Sequence, residues 1–496
     1  MKTSTVDVVP TSLPDRYDRL RIDAGIVYTA DPERPVVERG TVLVEGAHIS
    51  AVGTSDEIDR VEALLGPSTG RTRRIDATDR MVLPGLVNDH WHEVGALRVA
   101  AGMSVDVDDR DTEVGQYARG GNMIAVSQFF DSVPGLTQAI PDELARLAAL
   151  EAYVAQLRAG TTCVADFGSV SRPEVLAQAI LDTGIRGTVT AYAVDGVCRP
   201  GESKFDRTRD SGEILAQTEV LLERFAAHDS GRVRAMPSVL AGFSASDELM
   251  RGAVALAEKY DTPVATHIAS AANEAAFHSQ FHGSRPVERW HRLGLLSDRI
   301  ISAHTAFADA DEVSWMQSAS VNVTYCPQRY GVTGEMNTTT TRQVLAFLAA
   351  GDRVSLSTDG DALPLGFMPE AMRMAWLAYN EAAGDPSTVT PTRALSMATL
   401  AGARALRWDD QIGSIAVGKR ADLVTVPVHD FRYVGVRRNL QSYLAMGGSG
   451  DIDMTMVDGR ILVEGGATTF IDERALTNAF LSASGALAKA MANSAL

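Results

Sequence analysis

Apolar and polar positions alternate in short runs near the start of the chain. IDAGIVYTA, GTVLVEG and HISAVG fall between Arg21 and Gly53, separated by glycine and proline. Period-2 alternation bounded by such residues predicts small antiparallel strands. The polar, proline-bearing stretch before them, residues 1 to about 18, reads as a loose tail. Similar material returns late, as ADLVTVPV (421–428) and IDMTMVDGRILVEGG (452–466), the latter with Asp458-Gly459 as a hairpin turn. The pattern predicts one small composite β-sandwich domain built from both chain ends, 1–80 plus 410–470.

Between these ends the pattern changes. Apolar strand-like runs at 81–88, 161–167, 186–194, 232–240, 262–268, 300–305, 320–326 and 353–358 alternate with helix-like stretches such as 141–160 and 246–261. The second of those helices begins with Ser246 as a cap and acidic residues in its first turn. Strands alternating with helices imply a parallel sheet, and eight of them in this order predict an α/β fold, a (β/α)8 TIM barrel over 81–409. The alanine-rich end from Asp472 predicts a helix over 471–496, available for packing or oligomerisation.

Composition narrows the partners. The chain has 496 residues, 45% of them hydrophobic, enough for a large core. Its net charge of −17 and pI near 5.1 argue against nucleic acid or an anionic membrane. Cys163, Cys198 and Cys326 form no CxxC pair or disulfide framework, which suits a reducing compartment. No secretory signal or run of ~18 apolar residues is present, so the cytoplasm is expected.

Chemistry concentrates where apolar runs end. VLPGLVNDHWH places His90 and His92 two apart at the end of the first central strand, where side chains alternate faces and both imidazoles point one way. PVATHIAS ends in the region of His267, RIISAHTAF at His304 and RVSLSTDG at Asp359. A single histidine at a strand end is ordinarily a hydrogen-bonded core or surface residue. Four such segments, each at the carboxyl end of a predicted barrel strand, point instead to a catalytic divalent metal. Barrel closure makes the first and eighth strands neighbours, so the groups converge over one mouth.

PGLVNDHWH, GSRPVERWHRLGLLSDRIISAH (283–304), LSTDG (356–360) and GSIAVGKRADLVTV (413–426), together with the segment at His267, resemble the amidohydrolase superfamily over roughly residues 20 to 470. The resemblance is to its branch of triazine chlorohydrolases and guanine-type deaminases. It implies that His90, His92, His267 and Asp359 bind metal, and that His304 contacts substrate or binds a second ion. Binuclear members usually carry a bridging lysine on the fourth strand. The five lysines here are Lys2, Lys204, Lys259, Lys419 and Lys489, and none lies in RVRAMPSVL. One divalent ion is therefore expected: zinc first, with Fe2+, Mn2+ and Co2+ suited to the same ligands. Family habit also implies a homo-oligomer and a small-molecule substrate.

One position departs from the family. Deaminases of this branch carry a glutamate three residues after the fifth-strand histidine, which protonates a ring nitrogen; here the residue is Ser270. Glu274, Glu335 and Asp361 are the nearby acids that could stand in, and a solvated surface role is the plainer expectation for each. Cleavage of an amide, urea or carbamate has less need of that acid, since the leaving amine can be protonated after a tetrahedral adduct forms. The expected catalyst is thus a metal-dependent hydrolase of such C–N bonds, with Asp359 as base and His304 as oxyanion partner. An aminohydrolase or dehalogenase of a nitrogen heterocycle is the second reading, and a metal-free scaffold the third. For the pocket, Gln328, Arg329 and Tyr330 are expected at the mouth with Ser270 and His304, and Trp91 is expected in packing. The stretch 93–140, with Met103, Tyr117, Met123, Phe129 and Phe130, reads either as a lid or as a packed loop. His278, His282 and His291 read as surface or helix residues.

Overall fold

The computed structural model describes residues 12–93, 95, 122–169, 172–225, 228, 230–334, 337–351, 353–360, 366–428, 431–433 and 439–494. Strands from both chain ends join one nine-stranded sheet. β1 (Arg19–Tyr28), β2 (Val36–Glu38), β3 (Gly40–Glu45), β4 (His48–Thr54) and β5 (Thr72–Pro84) come from the start. The late segments supply four more strands to the same sheet, β18 (Leu423–Pro427), β19 (Met454–Val457), β20 (Arg460–Glu464) and β21 (Ala467–Thr468). The order is β21-β20-β19-β18-β5-β1-β3-β4, with β2 on β1. Leu20, Ile22, Val42, Leu423 and Met456 share its core, so neither end could bury this surface alone. Asp458 and Gly459 both take positive φ between β19 and β20, as the Asp-Gly pair predicts.

The central strands are parallel. β6 (Leu86–His92), β7 (Thr161–Asp166), β8 (Arg186–Val189), β11 (Val233–Ala235) and β17 (Asp359–Gly360) form one five-stranded sheet, ordered β11-β8-β7-β6-β17. β12 (Ser238–Ala241), β13 (Val264–Ile268), β14 (Ile300–His304), β15 (Asn322–Tyr325) and β16 (Val354–Leu356) form another in sequence order. A short ribbon pairs β9 (Gly196–Val197) with β10 (Asp206–Arg207). Val87, Ala165, Ala265 and Ile301 pack in one cluster, so both parallel sheets face a common interior. Their strands are almost wholly buried, as sheets covered on both faces require, and the polar residues within them are buried too.

Three details differ from the expected runs. The apolar stretch 81–88 is shared between two sheets: Met81–Pro84 pair with β18, and a new strand starts at Leu86. Gly85 sits at the junction, where a Cβ would lie 2.1 Å from Thr162 Oγ1. The fourth and eighth runs are each interrupted, at 236–237 and 357–358, and the third ends at Val189. Within 93–140, the structure has a helix at Met123–Ala139. Met123 and Val126 bury against Cys198, Phe243 and Phe277, which is a small packed core. Met103 and Tyr117 lie outside the described residues. Asp142–Arg158 and Asp247–Tyr260 are helical as expected, Ser246 accepting from the Leu249 amide, and Glu473–Ser494 forms the terminal helix. Among the described residues no helix is long and apolar enough to cross a membrane.

Candidate metal centre

The parallel strands deliver the predicted groups to one point. The Nε2 atoms of His90, His92 and His267 lie 3.0–3.2 Å from one another. Asp359 Oδ1 is 3.7 Å from both His90 Nε2 and His92 Nε2. Register drives this convergence. β17 pairs with β6 so that Asp359 sits opposite Trp91, between the two histidines. The pairing of β6 with β7 slips between Asn88 and Trp91, an irregularity that re-aims side chains beside a site.

The hydrogen bonds behind the rings decide what the three nitrogens are. His267 Nδ1 donates to the Leu240 carbonyl at 2.6 Å, and His92 Nδ1 to the Gly168 carbonyl at 3.3 Å. A carbonyl only accepts, so in both rings Nδ1 carries a proton, and in the neutral ring Nε2 is a bare lone pair. Two bare lone pairs 3.2 Å apart repel unless a cation lies between them. Tetrahedral ligands at bonds of ~2.0–2.1 Å sit ~3.3 Å apart, close to this spacing. Burial, then the neighbouring His92, lowers the His267 pKa to about 3, and burial holds His90 well below its ordinary value. Both imidazoles are thus neutral and ready to ligate. The residues fit a divalent ion.

The supports are local and specific. Asp166 Oδ1 accepts from the Gly168 and Ser169 amides and from Ser169 Oγ, fixing the turn that presents the Gly168 carbonyl. Gly168 has φ +117°, a conformation that favours glycine. Asn88 bridges to the other side, donating to Thr358 Oγ1 at 2.7 Å and accepting from the Thr358 amide at 3.1 Å. It thereby ties the residue before Asp359 to the strand of His90. His304 and Asp359 both have left-handed backbones, φ 69° and 65°. Such non-glycine conformations are costly and gather at functional sites.

His304 lies beside the centre, its ring 5.1 Å from that of His90. Its Nδ1 is 3.1 Å from Tyr330 Oη, and Arg329 Nη1 approaches both ring nitrogens at 3.0–3.1 Å. Burial, then Arg329, keeps this imidazole neutral. Arg329 Nε also reaches Asp359 Oδ2 at 2.8 Å. Ligand atoms of His90, His267 and His304 lie within 4.8 Å of one another, as do those of His304, Cys326 and Asp359.

The remaining predicted positions divide. Ser270 is buried with Oγ unpartnered, and both amide atoms of Gln328 are buried without a hydrogen bond. Glu274 opens the helix Glu274–His282, and its carboxylate accepts from the amides of Ala269, Ser270 and Ala271. It is buried, not a solvated surface acid, and burial raises its pKa to about 7 against those amides. Glu335 and Asp361 lie outside the described residues. Trp91 packs against Tyr153 away from the centre. His278 lies in the helix Glu274–His282, buried, with Nδ1 on the Ser284 carbonyl; His282 bonds the Phe243 carbonyl and His291 stacks on Trp315. Sequence reasoning missed the roles of Asn88, Asp166 and Glu274. For Asn88 and Asp166 the signal available was a polar residue in an apolar strand run; Glu274 was named as a stand-in acid but not as the anchor of its own loop.

Family and relatives make this chain a hydrolase acting on non-peptide C–N bonds. The chain belongs to the amidohydrolase family, whose model matches residues 81–462. It is similar to a 5-methylthioadenosine/S-adenosylhomocysteine deaminase of Symbiobacterium thermophilum, 28% identical over 462 residues, covering 90% of this chain and 94% of that protein. Among solved structures it is similar to an adenosine deaminase of Xanthomonas campestris with bound zinc, at 24% identity and TM-score 0.78, over 96% of this chain and 99% of that one. It is also similar to atrazine chlorohydrolase of Arthrobacter aurescens complexed with zinc, at 22% identity and TM-score 0.77, over 95% and 100%. These likenesses imply the TIM-barrel type of α/β fold.

Proposed function

We propose that this protein is a metal-dependent hydrolase that cleaves the C–N bond of a small amide-, urea- or carbamate-type substrate. The observation that carries the reading is the meeting of three imidazole Nε2 atoms, 3.0–3.2 Å apart, with the Asp359 carboxylate. His90, His92, His267 and Asp359 would hold one divalent ion, zinc in the first instance. When bound, that ion supplies Lewis-acid charge and an acidified water. Asp359 would take a proton from the attacking water and return it to the leaving nitrogen, its carboxylate held in place by Arg329 at Oδ2. His304, kept neutral and oriented by Tyr330, hydrogen-bonds the substrate oxygen as charge develops there. Ser270 and Gln328 contribute buried polar atoms for substrate contact.

Ser270 favours this substrate class over ring deamination, because a hydroxyl holds no proton in reserve for a ring nitrogen. The deaminase relatives favour the second reading, an aminohydrolase or dehalogenase of a nitrogen heterocycle. Under it, Glu274 would have to leave three backbone amides to act as the acid.

The proposal extends to architecture and setting. The two parallel sheets close into one (β/α)8 barrel over 81–409 through the interrupted runs, supported by their shared core. The end segments, 1–80 plus 410–470, make a separate β-sandwich domain, and 471–496 a terminal helix. The protein works in the cytoplasm as a homo-oligomer on a small molecule, not on nucleic acid or membrane. Three free buried cysteines and the charge of −17 support that setting. Metal analysis followed by a product screen tests the function. Stoichiometric metal with amine release from ureas, carbamates or amides is expected. Ammonia from amino-heterocycles alone supports the second reading, and absence of bound metal contradicts both.

A further inference from the structure

The three imidazoles differ in what stands behind them. His92 and His267 turn Nδ1 to backbone carbonyls. His90 turns Nδ1 to a side chain, Cys326 Sγ, at 3.4 Å. From that sulfur a continuous path runs through the interior. Cys326 Sγ is 3.2 Å from Ser357 Oγ, and Ser357 Oγ is 2.7 Å from Thr324 Oγ1. Thr324 Oγ1 donates to Asp89 Oδ1 at 2.7 Å, and Ser355 Oγ donates to Asp89 Oδ2 at 2.5 Å. Every member is buried, and the path links β6, β15 and the run through β16.

The direction of this path is set at its far end. Asp89 accepts from Thr324, so the Thr324 hydrogen is spent and its oxygen is left to accept from Ser357. Ser357 in turn accepts from the Cys326 thiol, and the sulfur accepts from His90 Nδ1–H. Each donor points away from the metal centre. The consequence at His90 matches what carbonyls achieve at the other two rings: the proton is held on Nδ1, and Nε2 faces the centre as a lone pair. A thiol alone cannot impose that, because it both donates and accepts. The anchored hydroxyl chain makes it behave as an acceptor.

We infer that Cys326 is a positioning residue for His90, and that Asp89, through Thr324 and Ser357, fixes its polarity. This rests on reading His90 as a metal ligand. Outer partners of metal-bound histidines typically contribute about 10–100-fold in metal affinity. The test is zinc affinity of the full-length protein, stripped and titrated against a competing chelator, with thermal melting to confirm folding. Cys326→Val keeps much of the volume but severs the path, and is expected to weaken zinc by about 10–100-fold. Cys326→Ser keeps a hydroxyl relay and is expected to stay within about threefold of the native chain. Thr324→Val should weaken zinc in the same direction. The double variant Cys326→Val with Thr324→Val should lose no more than the larger single, since the path is already cut. Native-like affinity in Cys326→Val, or equal losses in the valine and serine variants, overturns the inference. A native chain that binds no zinc instead overturns the functional reading on which it rests.

Discussion

Arg329 holds Asp359 by one oxygen. Its Nε lies 2.8 Å from Oδ2, while Oδ1 faces His90 and His92 at 3.7 Å. The same guanidinium spans both ring nitrogens of His304. One planar group therefore fixes the proposed base against the proposed oxyanion partner. Arg329→Met should lower kcat/KM by about 10²-fold, the usual result of misplacing a catalytic group by an ångström. Arg329→Lys should not restore it, because an ammonium is a point charge without the fork. Steady-state kinetics with metal content measured alongside checks both.

Asp359→Asn keeps an oxygen for the metal but removes the proton acceptor. Metal content should remain above half of native, and turnover should fall by about 10²–10⁴-fold. Near-native turnover in this variant contradicts the assignment of the base.

Ser270→Glu restores an acid at the position where deaminases of this branch carry one. Ammonia release from amino-heterocycles should rise by about tenfold or more, and amine release from ureas should not. A product assay on both panels reads the outcome. An unchanged product profile would remove position 270 from the account of specificity.

Glu274 gives a pH signature in stability. Burial raises its folded pKa to about 7, from an ordinary value of 4.5, against the pull of three backbone amides. Between those two values the unfolded chain releases this proton and the folded chain keeps it, so stability from this group falls as pH rises from about 4.5 to 7. Glu274→Gln lacks the titration, and its amide group meets backbone donors that the carboxylate satisfied. The melting-temperature advantage of the native chain over the variant should shrink between pH 5 and pH 8. An advantage that stays level or widens contradicts the burial argument.

Much of this was legible in the chain. His90 and His92 two apart after an apolar run, with His267, His304 and Asp359 ending later runs, located the centre because a parallel strand delivers its last residues to one face. Asp458-Gly459 and the Ser246 cap were readable for the same local reason. Other features were not. MVLPGLV is apolar on both sides of Gly85, so periodicity could not separate the strand of the composite sheet from β6. Arg329 follows a strand as any rim residue does; only the fold brings it to Asp359. Asp89, Thr324 and Ser357 each look like isolated polar residues in apolar strands, and their path exists only once distant strands pair. Glu274 stood seven residues beyond His267, where a helix start hides a carboxylate that turns back on its own loop.

The most direct test is the metal itself. Elemental analysis of the purified chain beside His90→Ala, His92→Ala and His267→Ala, joined to anomalous diffraction from crystals, locates and counts any ion. One divalent ion per chain, bonded to the three Nε2 atoms and to Asp359 and lost in each alanine variant, is the predicted result. An ion bound elsewhere, or occupancy that survives all three substitutions, contradicts the account.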